Sequence, residues 1–253
     1  MSAMTNDEYL RSVIAKYSVN AAGAHAVVTS VGPIISRWGG PYLMETIYSG
    51  SMAKGTAVSL SSDADVFVSL SSTTPDTLTS VYSTLYSALT QAGYQAKKQN
   101  VSIGVTAGGY KIDYVPGKRQ SPYGYDHSLY RSKANSWTKT NVKTHVSHVS
   151  SSGRQNEIKL TKIWRSLNGL DFPSFYLELA VIDCLRGANS ASLSDNFWRV
   201  LGFLASTFPS SRYIDPANTN NIISDDLTLS ERQQITNAAI RARTQNLWRN
   251  IVW

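Results

Sequence analysis

The chain has one cysteine, Cys184, in 253 residues. That excludes an intramolecular disulfide framework, and the apolar run Leu177 to Leu185 marks the thiol as a small core hydrophobe rather than a nucleophile. No stretch approaches the roughly 18 consecutive apolar residues of a membrane-spanning helix. The opening Met1-Ser2-Ala3-Met4-Thr5-Asn6-Asp7-Glu8 lacks the charged and then apolar regions of a secretory leader. These absences predict a soluble, cytoplasmic protein with no membrane partner. Charged residues are few, 16% against 42% apolar, which points to an ordered globular chain. Acidic groups are scarcer than basic ones, 17 against 24, for a formal charge of +7, so the surface attracts polyanions such as nucleotides or RNA. Neither repeats nor low-complexity linkers interrupt the chain, whose length fits one large domain or two intimate lobes.

The informative part of what is present begins at Ser49-Gly50-Ser51. Gly50 has no Cβ and lets the backbone approach an anion, and Ser51 adds a hydroxyl beside its own N–H, so the pair can grip a terminal phosphate. Eleven residues later comes Asp63-Ala64-Asp65-Val66-Phe67-Val68. The β-branched and aromatic residues of Asp63 to Leu70 predict a strand, which would turn both carboxylates to one face. A third carboxylate, Asp113, lies in the run Tyr110 to Val115. That run follows Val101 to Val105 across a turn at Ala107-Gly108-Gly109, a hairpin signal. If the hairpin lies beside the Asp63 strand, three carboxylates converge. They could then hold two Mg²⁺ or Mn²⁺ ions about 3.5–4 Å apart, the arrangement used for in-line nucleotidyl transfer.

Elsewhere the pattern is mainly helical. Residues 7 to 38 predict one or two helices, stopped by Gly39-Gly40-Pro41. Thr74-Pro75 is expected to open another, closed by Gly93. The polar stretch from 116 to 153 shows no sustained period and predicts an irregular connection, within which Asp126-His127 reads as a surface turn. His145 and His148 lack the further ligands of a zinc site. From Arg154 onward three helices are expected, over Ile158 to Leu167, from Pro173 through Leu185, and over Asp195 to Thr207. A last helix is announced by the capping pattern Thr228-Leu229-Ser230-Glu231 and is expected to continue to Trp248.

Gly50-Ser51, the Asp63/Asp65 pair and Asp113 together resemble the signature of the DNA polymerase β-type nucleotidyltransferase superfamily, in its oligoadenylate synthetase and bacterial cGAS/DncV-like (CD-NTase) branch. The resemblance implies an α+β fold, bilobal, with a small mixed β-sheet catalytic core and a helical C-terminal lobe, and the active site in the cleft between them. The expected domains are 1–150, catalytic with the N-terminal helix, and 151–253, helical. It further implies that Lys162, within Lys159-Leu160-Thr161-Lys162-Ile163-Trp164-Arg165, reaches the triphosphate, that Ser174 joins it, and that Phe175 stacks on a base. A solvated basic face is the competing reading of Lys159, Lys162 and Arg165, and a core position that of Phe175.

The activity implied is metal-dependent synthesis of a cyclic or short linear oligonucleotide second messenger from nucleoside triphosphates. In such families the product serves antiphage signalling by activating a downstream effector protein. Template-independent tailing of RNA, with RNA as partner, is the alternative in the same chemistry. A nucleotide- or RNA-binding module without catalysis is the alternative outside it.

Overall fold

Thr5 opens the first helix with a reciprocal cap. Its hydroxyl accepts from the Glu8 amide at 3.2 Å while the Glu8 carboxylate accepts from the Thr5 amide at 2.7 Å, which satisfies two otherwise orphaned donors. The computed structural model describes residues 4–61, 63–188 and 192–253. In chain order its elements are α1 (Asn6–Lys16), α2 (Ala21–Gly39), β1 (Leu43–Ser49), α3 (Gly50–Lys54), β2 (Ala64–Leu70), α4 (Leu78–Gln91), β3 (Gln95–Lys98), β4 (Ile103–Ala107), β5 (Tyr110–Arg119), β6 (His127–Arg131), β7 (Ser136–Thr140), α5 (Val142–Ser150), α6 (Gln155–Leu167), α7 (Ser174–Cys184), α8 (Leu193–Ser206), β8 (Ile214–Asp215), β9 (Asn218–Ile222) and α9 (Leu229–Arg243).

Two compact units divide the chain: Asn20–Lys54 with Asp63–Ser147, and Met1–Val19 with Gly55–Ser62 and His148–Trp253. This corrects the expected partition at residue 150. The N-terminal helix belongs with the helical half because Leu10 and Val13 of α1, together with Val58, are buried in the same apolar cluster as Ile163, Trp164, Phe197 and Ile235. Asp7 strengthens that attachment. Its carboxylate accepts from the amides of Leu193 at 3.0 Å and Ser194 at 2.9 Å, at the start of α8.

The sheet unit carries strands in the order β1-β2-β5-β4-β3, with β6 and β7 added where β5 runs on past β4. Only β2 and β5 run parallel, the helix α4 and the strands β3 and β4 lying between them in sequence. One face is apolar: Val27, Val31 and Ile35 of α2 and Tyr82, Leu85 and Leu89 of α4 form a buried cluster with Ala64, Val66, Val68, Ile112 and Tyr114. Burying each such aliphatic side chain contributes roughly 1.5–3 kcal/mol. Because side chains alternate along a strand, that packing turns Asp63, Asp65, Phe67 and Ser69 to the other face. The segment Asn6–Tyr42 has the length and composition of a membrane span, but α2 directs Ala24, Val27, Val31 and Ile35 into the sheet.

Several boundaries differ from the sequence expectation. Residues 116–153 are not irregular: β5 continues to Arg119, and β6, β7 and α5 follow. The alternation was hidden because two inward positions are polar, His127 at 3% exposure and Thr140 at 9%. His127 is therefore no surface turn. Its Nε2 meets the Ser69 hydroxyl at 2.8 Å, its Nδ1 meets the Tyr125 carbonyl at 2.7 Å, and its ring lies edge-on to Phe67. Helix α4 starts three residues later than Pro75 suggests it should, capped by the Thr77 hydroxyl on the Ser80 amide at 3.1 Å. The final helix ends at Arg243, and Trp248 sits in a separate short turn. Cys184 is half-buried against the helical core, and burial pushes its thiol up to about 11, as a packing role requires.

Candidate active site

The sheet register builds the site. Ser49 on β1 pairs with Asp65 on β2, Asp65 with Asp113 on β5, Asp113 with Gly104 on β4, and Gly104 with Lys97 on β3. These residues form one line across five strands, so the two carboxylates stand side by side on the face opposite the apolar core. Asp63 precedes β2 by one residue and shares the parity of Asp65.

Gly50 follows Ser49 directly and begins α3. Its φ is +60°, and a Cβ placed on it would lie 1.8 Å from Oδ2 of Asp65 and 2.5 Å from Cγ. Glycine is thus required twice, for the left-handed backbone and for the close approach to the carboxylate. The Gly50-Ser51 backbone and the Asp65 carboxylate are in this way held against each other.

Asp113 carries the electrostatic strain of the site. Burial raises its pKa, the negative charge of Asp63 raises it further, and hydrogen bonds from Gln99 and Ser102 and the charge of Lys111 offset this in part. Gln99 Nε2 donates to Asp113 Oδ1 at 2.8 Å. Among the described residues no three His, Cys, Asp or Glu side chains are drawn together tightly enough to hold an ion as they stand. The convergence expected of Asp63, Asp65 and Asp113 is therefore one of register and mutual repulsion. The donor set is all carboxylate oxygen, the ligand type Mg²⁺ and Mn²⁺ prefer. A cation would relieve the repulsion, and the Gly50 backbone packs directly against the Asp65 carboxylate.

The remaining expected residues lie in the helical unit. Lys162 on α6 is 1% exposed, and its ammonium donates to Glu178 Oε1 at 2.7 Å and to the Thr56 hydroxyl at 3.1 Å. That contradicts a solvated basic face, because the ion pair takes the ammonium into the core. Ser174 is the first residue of α7, and its Oγ accepts from Arg165 Nη1 at 3.1 Å, which also donates to the Phe172 carbonyl at 2.7 Å. Phe175 is half-buried against the helical core. Glu178 went unnoticed in the sequence, although a lone carboxylate in the apolar run Tyr176-Leu177-Glu178-Leu179-Ala180 signals a buried cationic partner. Gln99 left no such signal, being one polar residue in a polar turn.

No protein-family model matches the sequence, and no curated protein matches it. Solved structures do match its fold. E. coli MS115-1 CdnC, solved with ATP, superposes with a TM-score of 0.78 at 22% identity, covering 95% of this chain and 91% of that one. The chain has the CD-NTase fold. Two further structures widen the comparison. Rhodothermus marinus CdnE, a c-UMP-AMP synthase solved with Apcpp and Upnpp, gives 0.72 at 15% identity over 95% and 97% of the two chains. The Cid1 poly(U) polymerase bound to MgATP gives 0.69 at 14% over 93% and 92%. The fold is thus shared between a c-UMP-AMP synthase and a poly(U) polymerase.

Proposed function

We propose that this chain is a metal-dependent nucleotidyltransferase that joins ribonucleoside triphosphates into a cyclic or short linear oligonucleotide. The observation that carries this reading is the pairing of Asp65 with Asp113 on adjacent parallel strands, with the Gly50 backbone pressed onto Asp65. Asp63, Asp65 and Asp113 would hold the divalent cation or cations, and Gly50-Ser51 the terminal phosphates. A bound divalent cation supplies Lewis-acid activation of the acceptor hydroxyl and charge compensation for the leaving pyrophosphate.

In the reaction the acceptor hydroxyl oxygen bonds to the α-phosphorus, the bond from that phosphorus to the bridging oxygen breaks, and pyrophosphate leaves. Asp113 is suited to accept the hydroxyl proton, since burial and the Asp63 charge both raise its proton affinity. Lys162, Ser174 and Phe175 stand as the nucleotide contacts of the helical unit. In Lys162 the Glu178 pair orients the ammonium, and a phosphate would have to share it.

As the family resemblance implies, the product would be a second messenger for a nucleotide-activated effector, in antiphage defence. CdnC has also been solved in complex with HORMA-deltaN, and a protein regulator is a corresponding proposal for this chain. A second reading, RNA tailing, draws on two exposed aromatic side chains in the sheet unit, Tyr123 at 96% and Trp137 at 60%, which offer stacking faces for unpaired bases.

The test is incubation of the purified protein with four labelled ribonucleoside triphosphates and Mg²⁺ or Mn²⁺, beside an Asp63→Ala/Asp65→Ala control. A phosphatase-resistant small product that disappears in the control supports the first reading. Label entering added RNA instead supports the second, and neither product in either assay sinks both.

A further inference from the structure

The turn between β3 and β4 holds Gln99 from several directions. Its backbone amide donates to the Ser102 carbonyl at 2.9 Å. Its own carbonyl accepts from the Ser132 hydroxyl at 2.6 Å and from the hydroxyl of Tyr82, a residue of α4 that is 2% exposed. The side chain therefore leaves from an anchored point. At its tip, Ser102 Oγ donates to Oε1 at 3.1 Å, which orients the amide so that Nε2 faces Asp113 Oδ1 at 2.8 Å.

Gly104 makes this reach possible. It is the register neighbour of Asp113 on β4, and a Cβ there would stand 2.6 Å from Gln99 Nε2 and 3.1 Å from Asp113 Oδ1. The amide crosses the space that a side chain at 104 would occupy. An amide is also the suitable donor chemically. It fixes one carboxylate oxygen without adding positive charge, whereas a lysine or arginine in its place would neutralise the carboxylate and compete with a cation for it.

We propose that Gln99, admitted by Gly104 and oriented by Ser102, is the positioning residue of Asp113: it fixes Oδ1 and so orients the carboxylate toward the cation and the reacting hydroxyl. The inference rests on the metal-dependent reading of Asp113, and it concerns a residue that touches neither the cation nor the substrate.

The experiment is a double-mutant cycle on the full chain, read by Mn²⁺ binding in electron paramagnetic resonance without nucleotide, with thermal melts alongside. Gln99→Ala is expected to weaken Mn²⁺ about tenfold, the lower end for loss of an outer-sphere partner, and to leave the melting temperature unchanged, since the side chain is exposed. Gly104→Ala should lose a similar amount by displacing the amide, and the double variant should lose little more than either alone. With triphosphate, Gln99→Ala should lower kcat and leave KM nearly unchanged. The proposal is overturned if Gln99→Ala binds Mn²⁺ like the wild type, or if the two losses multiply. Wild-type affinity no higher than that of Asp113→Ala would remove the metal-dependent reading itself, and the positioning role with it.

Discussion

Gly50→Ala separates two costs that the structure places on one residue. Holding alanine at φ +60° costs about 1–2 kcal/mol. For a chain of this size that lowers the melting temperature by roughly 2–8 °C. The second cost is local: the new methyl would lie 1.8 Å from Asp65 Oδ2, so the carboxylate must move by more than an ångström to restore contact distance. A displacement of about 1 Å at a reacting centre costs on the order of 100-fold in rate. The expected result is therefore a protein that still folds, with product formation from triphosphates down about 100-fold and Mn²⁺ binding weakened. Gly93→Ala is the control. Its φ is +87° and no atom lies within 4 Å of the added Cβ, so it should show the same melting penalty with activity kept. Gly50→Ala activity within threefold of wild type would refute the argument that Gly50 and Asp65 form one unit.

Asp113→Asn is expected to stabilise the metal-free protein while abolishing product. The folded pKa of Asp113 is raised, so stability is full below the pKa of the unfolded carboxyl and lost as pH rises through the folded value. The gain from the amide should therefore show at pH 7–8 and vanish near pH 3 in chemical denaturation; an equal gain at both would contradict the assignment. Lys162→Met should cost about 3–5 kcal/mol by leaving Glu178 charged in the core, and Lys162→Met/Glu178→Leu should recover most of it, measured by urea unfolding. Burial lowers the pKa of His127, with the Arg119 charge acting in the same direction. The stability that depends on neutral His127 is then full above the unfolded pKa of about 6.5 and falls as pH drops below it. His127→Gln should flatten that dependence between pH 7 and 5, and an unchanged slope would assign it to other groups.

The sequence alone located the strand bearing Asp63 and Asp65, the hairpin bearing Asp113, the glycine turn and the capped final helix. Each of these is written in local terms: alternation along a strand, a missing Cβ, a capping residue three positions from its partner. The register that sets Asp65 beside Asp113 is non-local, because it depends on α4 carrying the chain across to a parallel neighbour. The allegiance of α1 to the helical unit is decided by the burial of Leu10 and Val13 among residues more than a hundred positions away. Strands β6 and β7 escaped detection because His127 and Thr140 are polar residues in inward positions, and the Ser69 hydroxyl that meets His127 is supplied only by folding. A solvated basic face was the competing reading of Lys162, yet Glu178, one helix on, takes its charge into the core. Gln99 acquires a role only once β4 presents a glycine beside Asp113, because a polar side chain in a turn gains meaning from what the fold sets within hydrogen-bonding distance of it.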